Sequence, residues 1–233
     1  MQNIVDEKRI ARGAQIGKIA TFAGLGFLVV GLIVSLAFKE SPLLLISFGC
    51  LLLGLLGSSI GSINMGRWVR EPRADQALAQ GLKGFDNRYL LYNYVLPAPH
   101  VLLGPTGLWV FTMLGQGGTI RYEGGNLRRD RSLRRILLFM SEEGMGRPFK
   151  EADAQVQALQ QFLDENGVDG ELEIDNALVF FDPRVDLVVT DPPRPMVVPK
   201  GLKRAIRKQA PKKLSSAQYQ QLKRLFEGTV AQN

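Results

Sequence analysis

The sequence predicts an α/β protein in two parts, an N-terminal two-helix transmembrane hairpin and a soluble domain with a mixed sheet and flanking helices. Residues 19–38 and 41–66 contain no charged side chain. The rest of the chain alternates short β-type runs with amphipathic helical patterns, which is typical of α/β domains. We therefore expect a membrane anchor over residues 1–68 and one soluble domain over residues 69–233.

Both uncharged runs are long enough to cross a bilayer. A helix of about 20 residues spans about 30 Å, the thickness of the hydrocarbon core. We expect helices at about 16–38 and 42–68, joined by the loop Lys39-Glu40-Ser41-Pro42. The alternatives are a long core helix of a soluble protein and a signal peptide cleaved after the weak site Ser35-Leu36-Ala37.

Basic residues lie at both outer ends of the predicted hairpin. They are Lys8, Arg9, Arg12 and Lys18 before the first run, and Arg67, Arg70 and Arg73 after the second. In the connecting loop, Glu40 offsets the single lysine. Because cytoplasmic loops carry an excess of Lys and Arg, we expect both termini and the soluble domain in the cytoplasm, at a prokaryotic inner membrane.

Small residues recur every four positions on the second predicted helix, at Cys50, Gly54, Ser58, Ser62 and Gly66. Such residues let helix backbones approach closely in lipid. Packing against the first helix is one interpretation, and homodimerisation is another. A four-residue step advances about 40° beyond a full turn, so the five residues cannot all face one straight partner.

Cysteine and histidine usage excludes several kinds of site. Cys50 is the only cysteine, so a single chain has no disulfide and no cysteine zinc site. His100 is the only histidine, which nearly excludes multi-histidine zinc sites and leaves one residue for any Ser-His-Asp triad. We interpret this lone histidine as structural rather than as a catalytic base.

The soluble domain is expected to alternate strands and helices. The predicted strands are Tyr89–Leu96, Val101–Leu103, Leu108–Thr112, Gly118–Tyr122, Leu127–Arg129, Ala177–Phe181 and Leu187–Val189. The predicted helices run from Pro72 to near Gly84, and over 132–140, 149–165, 203–209 and 216–226. Ser215 and Gln218 predict a capping box at the start of the last helix.

The stretch LPAPHVLLGPTGLWVF, residues 96–111, places an apolar run on each side of a Gly-Pro-x-Gly turn. Together with Gly118-Thr119-Ile120, it resembles the nuclease-related domain (NERD) family, a branch of the PD-(D/E)xK restriction-endonuclease-like fold. The resemblance covers roughly residues 73–130 by motif and about 69–210 by the order of elements. It implies a restriction-endonuclease-like domain.

The resemblance also implies where a nuclease site would lie. Such nucleases hold Mg²⁺ with an Asp and a Glu on adjacent strands, and a Lys positions or activates the nucleophile. The corresponding residues here are Pro99, Thr112 and Leu114. Asp75 is the one weak catalytic candidate that remains. We expect a degenerate site with no metal and no cofactor, and Mg²⁺ only if a divergent nuclease survives.

Other carboxylates offer a second route to a metal. Glu171, Glu173 and Asp175 alternate in the sequence ELEID, which would put them on one face of a strand. A solvated strand or loop is the simpler interpretation. The alternative function is therefore a divergent Mg²⁺-dependent nuclease that acts on DNA or RNA and uses Asp75.

Two basic clusters are the remaining functional signal. The first contains Arg128, Arg129, Arg131, Arg134 and Arg135, and the second, in the basic helical part 200–233, contains Lys200, Lys203, Arg204, Arg207, Lys208, Lys212 and Lys213. Anionic lipid head groups or nucleic-acid phosphates would be attracted to such surfaces, and a solubilising face is the third interpretation. We expect a non-catalytic binding or scaffold module at the cytoplasmic face of the membrane.

Overall fold

The computed structural model describes residues 1–37, 43–130, 146–168, 172–209 and 214–232. The chain divides into two compact units. One contains Glu7–Arg73, and the other contains Met1–Asp6 together with most of the residues from Ala74 onward. The predicted loop 39–42 and the predicted helix 132–140 lie outside the described residues.

The first unit consists of two long helices, α1 (Glu7–Ala37) and α2 (Leu43–Trp68). Both are long and apolar enough to cross a membrane, with hydropathies of 2.4 and 2.0. This confirms the two predicted apolar helices. α1 begins earlier than residue 16 because the residues after Glu7 are mostly good helix formers and continue the packing against α2.

Small residues form the seam between α1 and α2, with a spacing of seven rather than four. The buried positions are Ile10, Gly13, Gly17, Gly24 and Gly31 on α1, and Ser47, Gly54 and Gly61 on α2, and all of them except Gly13 recur every seven residues. A seven-residue step falls only about 20° short of two turns, so it stays on one face. The backbones approach closely: a Cβ at Gly24 would lie 2.5 Å from the backbone nitrogen of Ser58.

The four-residue pattern on α2 follows this seam only in part. Gly54 is buried and Ser58 half-buried against α1, whereas Ser62 and Gly66 are exposed. A Cβ at Gly66 would meet nothing within 4 Å. Each four-residue step rotates the pattern further around the helix, so Gly61 takes the inward position. Homodimerisation through the outward small residues stays a prediction.

The second unit contains two sheets, with strands numbered in chain order. The larger sheet has the order β1 (Gln2–Val5), β2 (Leu90–Asn93), β3 (His100–Gly104), β4 (Gly107–Leu114), β7 (Ile174–Phe180) and β9 (Met196–Val197). The smaller has the order β6 (Asn126–Arg129), β5 (Gly118–Glu123) and β8 (Val185–Val189). β2, β3 and β4 pair antiparallel, while β1, β7 and β9 join in parallel.

Helices cover both faces of the larger sheet. They are α3 (Ala74–Gly81), α4 (Pro148–Glu165), α5 (Leu202–Gln209) and α6 (Ser216–Gln232). α3 and α5 pack with Trp109 on one face, and α4 and α6 pack with Val110 on the other. The prediction of an α/β domain with a mixed sheet is confirmed. The capping box is also confirmed. The backbone N–H of Gln218 donates to Ser215 Oγ at 3.2 Å, and the backbone N–H of Ser215 donates to Gln218 Oε1 at 3.0 Å.

The sequence analysis did not predict β1. Residues 2–5 pair in parallel with residues 90–93, and the amino group of Met1 donates to the carbonyl of Phe85 at 2.9 Å. Ile4 packs against the core on the α4 side. Four residues are too few for a recognisable strand pattern, so this strand depends on the edge that β2 offers. Residues before α1 and residues after α2 therefore build one sheet.

Gly31→Cys tests the helix seam by placing a second thiol opposite Cys50. A Cβ at Gly31 would lie 3.1 Å from the Cβ of Cys50. Disulfides join Cβ atoms about 3.8 Å apart, so a small shift suffices. We expect mild oxidation of the full chain to consume both thiols within one molecule, as measured by thiol titration and gel mobility. Gly26→Cys points into open space, and equal intramolecular oxidation of that control would contradict the seam.

Ile4→Asp tests whether β1 stabilises the soluble domain. Ile4 is half-buried against the core, so a carboxylate there should lower the free energy of unfolding by about 1–2 kcal/mol. Denaturant unfolding of the full chain, followed by tryptophan fluorescence, measures the change. Gln2→Asp introduces the same charge at an exposed position of the same strand. An identical unfolding midpoint for the two variants would show that β1 adds no stability.

Candidate functional site

Two of the expected nuclease positions lie on β4, and the third, Pro99, immediately precedes β3. β3 and β4 pair from Gly104 opposite Gly107 to Val101 opposite Val110. Continuing this register by two residues puts Pro99 opposite Thr112. Leu114 follows Thr112 on the same face of β4, because side chains alternate along a strand. Thr112 and Leu114 therefore lie close together along β4, with Pro99 near the same end of the hairpin.

Thr112 is fully buried, and its hydroxyl already has a neutral partner. Thr112 Oγ1 donates to Oε1 of Gln155 on α4 at 2.9 Å. The Nδ2 atom of Asn176 on β7 lies 3.5 Å from the same hydroxyl. Leu114 is buried in an apolar cluster with Phe180. Amide and hydroxyl groups thus occupy the place where the resemblance implies a charged metal ligand.

Asp75 lies on α3, which packs on the opposite face of the sheet from α4 and Gln155. The Asp75 side chain is buried. α3, which carries Asp75, thus covers one face of the sheet, whereas Thr112 contacts Gln155 on the other face. Among the described residues, no group of three or more His, Cys, Asp and Glu side chains could hold a metal. Of the ELEID carboxylates, Glu171 lies outside the described residues, and Asp175 is on β7.

His100 is buried in a line of side-chain amides that ends at β1. Its Nδ1 lies 2.7 Å from Asn93 Oδ1, and Asn93 Nδ2 donates to Asn3 Oδ1 at 2.7 Å. The imidazole also contacts the Tyr94 ring edge-on, with 4.9 Å between ring centroids. These contacts fit the structural interpretation of this histidine, because they orient its ring and satisfy its buried nitrogen.

A polar network that the sequence analysis missed joins α4, β7 and the connector before β9. Arg194 donates to Asp153 at 2.7 Å and to Asn176 at 3.3 Å. Asn176 donates in turn to the carbonyl of Val110 at 3.1 Å. The Arg194 guanidinium lies 5.7 Å from the centroid of the Phe149 ring. These residues come from distant parts of the chain, so no local sequence pattern predicts that they form a network.

An open groove of about 440 Å³ lies beside this network. Partial burial raises the pKa of Asp175, one of its two carboxylates. Its lining includes neither a Ser or Cys nucleophile nor a His or Lys base; it consists of Asp153, Val156, Gln157, Ile174, Asp175, Asn176, Pro193, Arg194, Pro195 and Gln209. The groove therefore offers hydrogen-bonding groups suited to binding.

The first basic cluster is described only in part. Arg131, Arg134 and Arg135 lie outside the described residues, as do Lys212 and Lys213 of the second cluster. Arg128 is exposed on β6, directly opposite Arg121 on β5. Arg129 donates to the carbonyl of Gly117 at 2.8 Å. Arg128 thus presents its charge to solvent, while Arg129 also supports the loop before β5.

Two cations of the second cluster make contacts within the domain. Lys203 Nζ donates to the carbonyl of Lys83 at 2.5 Å. The guanidinium of Arg207 lies 5.9 Å from the centroid of the Phe85 ring, which is within the range of a cation–π contact. Lys203 and Arg207 therefore help to attach α5 to the loop that follows α3.

The other three cations of this cluster form an exposed row. Arg204 and Lys208 lie four residues apart on α5, and Lys200 lies in the 3₁₀ turn Pro199–Gly201 that precedes it. No described residue forms a hydrogen bond or ion pair with their side chains. Residues four apart share one helix face, and Leu202 and Ile206 are the buried ones. The row is therefore available to an anionic partner.

Comparisons with known proteins identify no relative. No protein-family model, curated protein or solved structure matches this chain. The likeness to the NERD family therefore rests on the motif around residues 98–114, on Gly118-Thr119-Ile120, and on the order of elements.

Asp175→Asn tests the electrostatics of the groove. Because burial raises its pKa above 3.8, the folded state binds this proton more tightly, and stability falls as pH rises through the folded pKa. The amide should therefore raise the melting temperature at neutral pH, with a gain that shrinks as the pH approaches 3.8. Asp186→Asn changes an exposed carboxylate on β8, and an equal gain from that control would contradict the assignment.

Proposed function

We propose that this protein is a membrane-anchored, NERD-like binding or scaffold module without nuclease activity, that is, a pseudoenzyme. The hydrogen bond between buried Thr112 and half-buried Gln155 carries the proposal, because Thr112 is the residue that the resemblance aligns with the metal-binding glutamate. Pro99 has no side-chain ligand, and Leu114 is apolar. Mg²⁺ keeps several waters and is usually held by carboxylates. The neutral Thr112–Gln155 pair does not supply the negative charge of a carboxylate ligand.

The order of elements supports a restriction-endonuclease-like fold. α3 is followed by the antiparallel strands β2, β3 and β4, then by the β5–β6 hairpin, then by α4, and then by β7 parallel to β4. The resemblance implies an early helix, a cluster of strands, a long helix and further strands. The expected Glu position, Thr112, lies on β4, and the expected Asp position, Pro99, immediately precedes the neighbouring strand β3.

The pairing of β1 with β2 supports a hairpin whose two ends share one compartment. Residues 2–5 precede α1, and residues 90–93 follow α2, yet they form one ladder. Two crossings of the bilayer satisfy this constraint, whereas one crossing does not. Cleavage of α1 as a signal peptide would remove β1 from the sheet. With the flanking Lys and Arg residues, this favours the cytoplasmic side for both termini and the domain.

The exposed row of Lys200, Arg204 and Lys208 is the best-supported ligand surface of the domain. No acidic residue occurs between residues 192 and 226. Anionic lipid head groups and nucleic-acid phosphates share the chemistry that this row would bind. The row thus gives the module an anionic partner without requiring catalysis.

Incubation of the full chain with Mg²⁺ and with single-stranded DNA, duplex DNA or RNA tests the non-catalytic assignment. We expect no cleavage, because Thr112, Pro99 and Leu114 cannot assemble the metal site. Gel shifts in the same mixtures report binding, which should weaken with salt and after Lys200, Arg204 and Lys208 are changed to Gln if nucleic acid is the partner.

A defined pattern of cleavage would contradict the non-catalytic assignment. Mg²⁺-dependent cleavage that Asp75→Ala abolishes and Asp86→Ala preserves would establish the divergent nuclease. Asp86 is a suitable control because its exposed carboxylate pairs with Arg88 at 2.6 Å, away from the expected site.

A further inference from the structure

We propose that the open end of the α1–α2 hairpin binds the phosphate of an anionic phospholipid between Arg12 and Arg67. This inference rests on the proposed membrane anchor. It adds a lipid site on the first unit, separate from the basic row of the soluble domain. The ligand class is a phospholipid whose head group carries net negative charge.

The contact between Gly13 and Trp68 defines the site. A Cβ at Gly13 would lie 2.5 Å from Cδ1 and Nε1 of the Trp68 indole, so glycine leaves the space that the ring occupies. One turn further along, a Cβ at Gly17 would lie 3.1 Å from the backbone nitrogen of Met65. The indole therefore packs against α1 at a fixed level of the hairpin.

Helical geometry places Arg12 and Arg67 on the same side of the seam. α1 and α2 are antiparallel, so a local two-fold axis relates the two helices at each contact. The residue that precedes a contact residue on α1 therefore lies on the same side of the seam as the residue that precedes the matching contact residue on α2. Arg12 precedes Gly13, and Arg67 precedes Trp68. Lys18 instead follows the contact residue Gly17, and the 100° step per residue puts Lys18 on the other side of the seam. All three cations are exposed.

The indole also orients one of the two arginines. The Arg67 guanidinium lies 5.2 Å from the centroid of the Trp68 ring, within the range of a cation–π contact. This contact restricts the long side chain before any ligand binds. A guanidinium held in this way can still present a fork of N–H donors to a phosphate.

Depth and charge match a lipid head group. The uncharged part of α2 ends at Gly66, so Arg67 is the first charge beyond it, and Trp68 lies where interfacial tryptophans concentrate. Arg12 lies about 10 Å along α1 from Ile19, where the uncharged run begins. Charge complementarity at this level therefore favours a phosphate at the edge of the bilayer.

Energy transfer from Trp68 to a dansyl-labelled phosphatidylglycerol tests the site in the full chain. Trp68→Phe gives the background from Trp109, the second tryptophan. We expect unlabelled phosphatidylglycerol to displace the probe at least fivefold better than phosphatidylcholine. Arg12→Gln and Arg67→Gln should each reduce this preference about fivefold. Lys18→Gln, with the same charge loss on the other side of the seam, should preserve it.

The remaining outcomes overturn the proposal. An equal loss in Lys18→Gln would indicate a diffuse basic surface, and an unchanged preference in both arginine variants would leave the site without a role. Loss after Lys200, Arg204 and Lys208 are changed to Gln would move the lipid contact to the soluble domain. Displacement by oligonucleotide but not by phosphatidylglycerol would assign the arginines to nucleic acid.

Two controls separate failure of this site from failure of the anchor. The Gly31→Cys substitution is combined with each arginine variant, and disulfide formation with Cys50 then shows whether the hairpin is intact. Extraction of the wild-type chain from membranes by alkaline washing would refute the proposed anchor before any lipid is compared. Retention in the membrane without a preference for phosphatidylglycerol would refute the lipid site alone.

Discussion

The short parallel ladder between β1 and β2 is the constraint on which the architecture depends. Four residues before α1 pair with four residues after α2, and the two helices form an insertion within one folded domain. In the proposed membrane anchor, this pairing requires the outer ends of α1 and α2 on the same side of the bilayer. The amide line from Asn3 through Asn93 to His100 further connects this strand to the domain interior.

The helix pair and the sheet solve their packing problems by different means. Between α1 and α2, glycine and serine at seven-residue spacing let the backbones approach closely, as small residues do between helices in lipid. In the sheet, large side chains such as Trp109 and Tyr92 fill both faces. A single chain thus uses small residues where backbones meet in the apolar hairpin and large residues where water drives burial.

Polar side chains beside Thr112 on β4 pair with each other. Thr112, Gln155 and Asn176 form neutral hydrogen bonds, and Arg194 connects them to Asp153 at the groove. Introducing a carboxylate at Thr112 without a cation would bury a charge at considerable cost. The neutral side chains around Thr112 are therefore consistent with the proposed non-catalytic module.

The sequence alone determined the two apolar helices, the β3–β4 hairpin around its Gly-Pro-Thr-Gly turn, α4, and the capped start of α6, because each is encoded by local periodicity or turn chemistry. It also identified Pro99, Thr112 and Leu114 as the residues that the resemblance aligns with the nuclease Asp, Glu and Lys. Only the tertiary structure decided the seven-residue seam, β1, and the network of Gln155, Asn176 and Arg194. These features depend on contacts between residues far apart in the chain, which no local pattern specifies.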